Sequence, residues 1–114
     1  MNADDLRILH ANGTESSVAA GQVLIEMGQY GSGLYVILEG TVIVEAPEGT
    51  REFGPDTIVG ERALLSADGR RTARVRAKTD VRVVAVDRMD VERLCADDAA
   101  FARRLADTGE GLLT

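Results

Sequence analysis

The sequence predicts a mainly β protein, an antiparallel sandwich or barrel with a helix before it and helices after it. Three observations predict this. Between Ser17 and Val86, short runs rich in β-branched residues follow one another closely. Glycine stands at most of the corners between them. Outside that stretch the apolar residues recur at helical spacing instead. Closely set short strands bury their apolar faces against one another, which makes a two-layered or closed antiparallel β structure.

Taken in order, Asn2 followed by Asp5 is a capping pattern for a first helix through about Ala11, with Leu6, Ile8 and Leu9 on its apolar side and Gly13 as its end. The strand runs are Val18, Val23-Leu24-Ile25, Leu34 to Leu38, Thr41 to Val44, Ile58-Val59, Val75 and Val81 to Val86. Turn signals separate them at Gly21, Gly28, Gly31-Ser32-Gly33, Glu39-Gly40, Pro47-Glu48-Gly49 and Gly54-Pro55-Asp56. The strongest hairpin signal is Glu39-Gly40, because a two-residue turn needs a residue that tolerates positive φ. Asp87 reads as the cap of a helix carrying Val91, Leu94 and Cys95. Asp97 or Asp98 reads as the cap of another carrying Phe101 and Leu105, ended by Gly109 and Gly111. The expected organisation is one domain over 1–114: an N-terminal helix in 1–16, a β-barrel over 17–86 and C-terminal helices over 87–108.

The composition narrows the function classes. With 114 residues, 45% of them apolar, the chain suffices for one core but not for a sensor plus a separate output domain. A net charge of -6 argues against nucleic acid or an anionic membrane as partner of this domain, since both call for a basic surface. Positive charge is nonetheless concentrated at Arg70, Arg71, Arg74, Arg76, Lys78 and Arg82. Strand alternation sends Arg74, Arg76 and Lys78 to a solvated outer face. The single cysteine, Cys95, allows no intramolecular disulfide and reads as a buried structural thiol. The N-terminus lacks the basic start and apolar run of a signal peptide, and no stretch approaches membrane-spanning length, so a cytoplasmic location is expected. His10 is the only histidine and falls on the first helix. That leaves no clustered metal ligands and no nucleophile-base pair, and an enzyme is not expected.

One constellation carries chemistry. Gly60-Glu61-Arg62-Ala63-Leu64-Leu65 is followed, after a short polar loop, by Arg70-Arg71-Thr72-Ala73-Arg74-Val75. A glycine leading into a helical turn leaves backbone N–H groups that favour an anion. The arginine fork suits phosphate oxygens, and a carboxylate, which only accepts hydrogen bonds, suits a ribose hydroxyl. Together they describe a nucleotide site. Parity selects Arg71 over Arg70, because Arg71 shares a strand face with Ala73, Val75 and Ala77, the inward apolar set.

Five ordered blocks carry a resemblance. They are Gly21-x-Val23-Leu24-Ile25-x-x-Gly28, Gly31-x-Gly33-Leu34-Tyr35-Val36-Ile37-x-x-Gly40-x-Val42, Phe53-Gly54-Pro55, Val59-Gly60-Glu61-x-Ala63-Leu64-Leu65 and Arg71-Thr72-Ala73-x-Val75-x-Ala77. From about Val18 to Leu105 the chain resembles the cyclic-nucleotide-binding domain family of catabolite-activator-type regulators, kinase regulatory subunits and cyclic-nucleotide-gated channels.

The resemblance implies an eight-stranded antiparallel jelly-roll barrel. It also implies a phosphate-binding cassette over 59–75 and helices that move when cyclic AMP or cyclic GMP enters. Glu61 would accept from the ribose 2′-hydroxyl and Arg71 would pair with the cyclic phosphate. The N–H groups of Arg62, Ala63 and Ala73, beside Gly60, would complete the cradle. Thr72 stands where a family hydroxyl contacts phosphate and sometimes a guanine amino group, while Val44, Arg51, Phe53 and Val59 occupy base-pocket positions. No cofactor is implied beyond the ligand, and the partner would be a protein effector or a fused output domain. Two residues depart from the family pattern: Asp56 replaces a common glycine, and Arg62 replaces an apolar residue. Arg62 either adds a second cation near the phosphate or turns outward. In the family a residue far along the last helix covers the base; here Leu112 or Leu113 would have to fold back to do so. The competing reading is a barrel that binds no nucleotide and serves as a protein-interaction module, with Glu61 and Arg71 paired to each other.

Overall fold

The computed structural model describes residues 1–111, with side chains through Thr108. The chain runs α1 (Ala3–Ala11), β1 (Thr14–Val18), β2 (Val23–Ile25), β3 (Gly33–Glu39), β4 (Val42–Ala46), β5 (Gly49–Phe53), β6 (Ile58–Val59), α2 (Glu61–Leu65), β7 (Arg74–Ala77), β8 (Val81–Asp87), α3 (Arg88–Asp97) and α4 (Ala99–Gly111). The strands form two four-stranded sheets, ordered β1-β8-β3-β6 and β2-β7-β4-β5. Every strand pairing is antiparallel. This is the jelly-roll barrel with flanking helices that the resemblance implies.

The chain stays within one sheet only between β4 and β5, where Ala46 pairs with Gly49 around Pro47-Glu48. Glu39-Gly40 is therefore not the hairpin its sequence suggests. It turns a corner between the sheets, since β3 pairs with β8 and β6 and β4 pairs with β5 and β7. Gly40 has φ +88°, and a Cβ there would lie 2.3 Å from the Asp80 carbonyl oxygen, so the corner needs glycine for space as well as for backbone conformation.

Alternation along β3 and β8 builds two cores. Ile37, Val81 and Val83 face into the barrel with Val42, Val44, Val59 and Val75, and Tyr35 packs against them. Leu34, Val36, Val84 and Val86 face outward and bury Leu9, Val91, Phe101 and Leu105 of the helices. Each such aliphatic side chain contributes about 1.5–3 kcal/mol when fully buried. The central sheet is thus apolar on both faces, and α1, α3 and α4 lie on its outer one.

The helix signals land where capping chemistry places them. Asn2 accepts from the Asp5 amide and Asp5 accepts from the Asn2 amide. Asp87 accepts from the Asp90 amide, and Asp98, rather than Asp97, accepts from Ala100 and Phe101. Ile8 does not share the buried stripe; it is 37% exposed, and Leu6 and Leu9 carry the contact. Gly13 does not take a left-handed cap. A Cβ there would lie 2.4 Å from Val84 Cγ1, so the glycine serves close passage over β8. The helix expected to end at Gly109 continues to Gly111, because interior glycines cost a helix only about 1 kcal/mol each. Leu112 and Leu113 lie outside the described residues.

Two strands differ from the sequence reading. β1 begins at Thr14 rather than near Ser17, and β5 occupies Gly49–Phe53, where the sequence shows no β-branched run. Both are polar edge strands held by ladders to β8 and β4. The run of positive charge is largely neutralised by glutamates: Arg74 bonds Glu26, Arg76 bonds Glu45 and Lys78 bonds Glu52 on the outer face, and Arg82 reaches Glu15 and Glu39. Asp56 adopts φ +66°, a left-handed conformation that glycine takes most readily and aspartate tolerates better than most residues.

A partly buried polar tie joins the first helix to the last. The buried Asp5 carboxylate accepts from Arg104 Nε at 2.7 Å and Nη2 at 2.9 Å, clipping α1 to α4. Arg104 hydrogen bonding holds the Asp5 carboxyl below its usual 3.8, against an opposing effect of burial. Because the folded value lies below the unfolded one, the stabilisation is fully present above the unfolded value and is lost as pH falls through the folded one. Asp5→Asn is expected to lower the urea midpoint at pH 7, and the gap to the wild type should shrink below about pH 4. Parallel pH profiles for the two proteins would contradict this role.

Candidate functional site

The site is built where β6 runs into α2. Val59 ends the strand inside the barrel core, and Gly60 turns the chain with φ +93° without a side-chain cap. A Cβ on Gly60 would lie 2.7 Å from Arg71 Nη1 and 2.9 Å from Ile25 Cδ1, so the turn and its contents exclude any other residue. The five-residue α2 that follows buries Glu61 and Ala63, while Arg62 is half-buried and Leu65 exposed. Leu64 turns the other way and joins the helical core with Phe101 and Leu105. One helical turn therefore has one face toward the barrel and another toward α4.

Arg71 enters from the opposite side. Its amide donates to the Gln29 carbonyl at 2.8 Å, and its carbonyl accepts from the Gly28 amide at 3.0 Å, which fixes the backbone before β7 begins. Of the adjacent arginines, Arg71 is 8% exposed and Arg70 is on the surface. The Arg71 guanidinium donates through Nη1 to the Gly60 carbonyl and through Nη2 to the Gly33 carbonyl, each at 2.7 Å. Burial pushes its pKa down and Arg88 adds to this, while Tyr35 and Glu61 oppose it. An arginine remains protonated under such shifts, so the barrel holds a fixed buried cation beside a buried carboxylate.

The other expected residues fall into two groups. Val44, Val59 and Ala73 are fully buried in the barrel core. Phe53 is half-buried, packing on that core and also bordering a cavity with Leu6, Ile58 and Thr108. Thr72 and Arg51 lie at the surface, and each is engaged in interactions of its own. Gly60, Glu61, Ala63, Arg71 and Ala73 are thus brought together in the interior, with Arg62 and Thr72 at the rim.

Sequence reasoning missed Arg88 and Tyr30. Arg88 Nη2 donates to the Gly31 carbonyl at 2.8 Å, and its guanidinium stacks 4.7 Å from the Tyr30 ring centre. A signal existed: an arginine at the first position of a helix opposes the helix dipole and has to be held by something else. Among the described residues no group of three His, Cys, Asp or Glu side chains could hold a metal. No helix among them is long and apolar enough to cross a membrane.

Comparison with known proteins places this geometry among relatives. The family model described as the cyclic nucleotide-binding domain matches residues 15–98. A cyclic nucleotide-gated potassium channel of Rhizobium etli is 33% identical over 91 residues, which are 80% of this chain and 25% of the channel. The chain therefore spans about a quarter of that relative's length. A structure solved in work on a cyclic-GMP-dependent signalling pathway that regulates bacterial phytopathogenesis superposes with a TM-score of 0.83. It is 27% identical and covers 96% of this chain and 90% of its own. The catabolite activator protein of Thermus thermophilus shares the fold, with a TM-score of 0.77, 24% identity and coverage of 94% of this chain and 53% of the activator.

Gly60 and Gly21 offer a direct check on the packing of Arg71. Both have positive φ, but a Cβ on Gly21 would meet nothing within 4 Å. Gly21→Ala is expected to cost the backbone strain alone, about 1–2 kcal/mol in urea unfolding. Gly60→Ala should cost clearly more, because it also displaces the Arg71 guanidinium. Equal losses would show that Arg71 is not held as described.

Proposed function

This chain belongs to the cyclic nucleotide-binding domain family, and on that premise we propose that it binds cyclic AMP or cyclic GMP as a regulatory sensor. The observation that carries the reading is the burial of Glu61 and Arg71 in one interior, on either side of a turn that only glycine can make. Ionised groups are costly away from water unless matched. A cyclic phosphate matches the cation, and the ribose 2′-hydroxyl beside it matches the carboxylate. The Arg71 bonds to Gly60 and Gly33 use two of the five N–H donors that a guanidinium has. The two bonds orient the fork before the ligand arrives.

In this reading the amides of Arg62, Ala63 and Ala73, beside Gly60, line the phosphate, and Val44, Val59, Phe53 and Arg51 surround the base. Thr72, at the rim, bears on the choice of base. A 5′-monophosphate fits less well. Its phosphate is not tied back to the ribose, so holding phosphate and 2′-hydroxyl in one fixed relation costs conformational entropy that the cyclic form does not lose.

The signal would leave through α2. Ligand on its Glu61 face displaces Leu64 on its other face, and with it Phe101 and Leu105. A ligand with different affinity for the two packings shifts the population between them. The reader of that shift would be a protein effector or a fused output domain. The reading assigns no catalysis to this domain: His10, exposed on α1, bonds Glu15 away from the interior. A cytoplasmic setting suits such a ligand.

Isothermal titration is expected to detect binding of cyclic AMP or cyclic GMP and none of 5′-AMP. Arg71→Ala should weaken binding by about 2–5 kcal/mol, the cost of losing one partner of a buried charge pair. Thr72→Ala is expected to weaken cyclic GMP selectively if its hydroxyl meets guanine. Absence of binding by both cyclic nucleotides at millimolar concentration would replace this reading with the interaction-module one.

A further inference from the structure

Gly31 is the point where two guanidinium groups meet. A Cβ at this position would lie 3.3 Å from Arg71 Cζ and 2.6 Å from Ala63 Cβ, so the loop is pressed against both the buried cation and α2. On its other side, the Gly31 carbonyl accepts from Arg88 Nε at 3.0 Å and Nη2 at 2.8 Å. Nη2 also reaches the Ala63 carbonyl at 3.5 Å, and the Arg88 amide donates to the Ser32 carbonyl at 2.7 Å. The face of the guanidinium is covered by Tyr30, whose ring rests on Gly69 so closely that a Cβ there would lie 2.5 Å from it. The Gly31 amide donates to the Gly69 carbonyl at 2.8 Å, closing the loop onto the segment that carries Arg71.

Arg88 is the first residue of α3, so a bond to Gly31 or Ala63 is a bond between the site and the start of the C-terminal helices. We propose that Arg88, held over the Tyr30 ring, is the positioning residue that couples occupancy of the Glu61–Arg71 site to the seating of α3. This rests on the reading that the site takes a cyclic nucleotide. Two physical features support it. Gly31 has no slack between Ala63 and Arg71, so a shift of either moves the carbonyl that Arg88 holds. The two guanidinium groups also repel, in the sense in which Arg88 lowers the Arg71 pKa, and an anion on Arg71 removes that repulsion. Lysine cannot replace Arg88 here, because a point charge neither spans two carbonyls nor stacks flat on a ring.

Cys95, the only cysteine of the chain, sits half-buried on α3 against the helical core, and burial pushes its thiol pKa up. Its rate of reaction with a thiol reagent therefore reports how α3 is seated. In the full chain, saturating cyclic AMP or cyclic GMP, whichever titration shows to bind, should change that rate by about fivefold or more, the low end of ordinary coupling. In Arg88→Lys and Tyr30→Leu the ligand should still bind, and the ligand-dependent change should collapse. A purely structural role for Arg88 would alter the Cys95 rate alike with and without ligand and preserve the ratio. A preserved ratio overturns the proposal, as does a wild type that binds ligand without any change at Cys95. Loss of binding by a folded Arg88→Lys also overturns it, since Arg88 would then be a ligand contact. If Arg88→Lys does not fold, Tyr30→Leu decides. A wild type that binds neither nucleotide defeats the binding reading first, and calorimetry separates that case from the others.

Discussion

The Arg71 guanidinium sits inside the barrel with two backbone carbonyls as its hydrogen-bond acceptors, and much of the surrounding architecture follows from making room for it. Gly60 has to be glycine because Nη1 lies where a Cβ would be, and Gly31 because Cζ and Ala63 occupy the same space. Gly33 opens β3 and offers its carbonyl to Nη2. Loop, strand and helix thus converge on one cation, and each approaches it through backbone that carries no side chain. A buried charge of this kind is weak evidence for stability and stronger evidence for a function that needs the charge in place.

The second organising feature is that the short β6–α2 segment belongs to two cores at once. Val59, at the end of β6, is part of the barrel interior, and Leu64 of α2 is part of the helical layer. The β1-β8-β3-β6 sheet separates these cores, with aliphatic side chains packed on both faces. Close-packed interiors do not deform smoothly, so a displacement on one side of α2 is passed to the other or resisted outright. The Arg88 bonds to the Gly31 and Ala63 carbonyls run beside this route.

Much of this was legible in the sequence because local chemistry decides it. Caps at Asn2 and Asp87 follow from which side chains can accept an amide, and the inward set Ala73, Val75 and Ala77 follows from strand parity. The same parity put Arg71 inside and Arg70 outside. The rest depended on tertiary pairing. β1 and β5 are strands because β8 and β4 offer them ladders; their own residues are polar and exposed. Glu39-Gly40 carries the local signature of a hairpin, and only the sheet order shows that it is a corner. Arg88 and Tyr30 were invisible because a cation–π stack between residues 58 positions apart leaves no periodic trace; only the awkward placement of Arg88 at a helix start hinted at it.

The central claim is that the Arg71 fork, pre-oriented by Gly60 and Gly33, is the group that receives the ligand phosphate. Nitrogen-15 NMR of the arginine side chains tests it most directly, with the Arg71 Nη signals assigned by their loss in Arg71→Lys. On titration with the cyclic nucleotide that binds, those signals should shift more than any other arginine's and saturate with the calorimetric affinity. Saturable binding that leaves the Arg71 Nη signals in place would contradict the account.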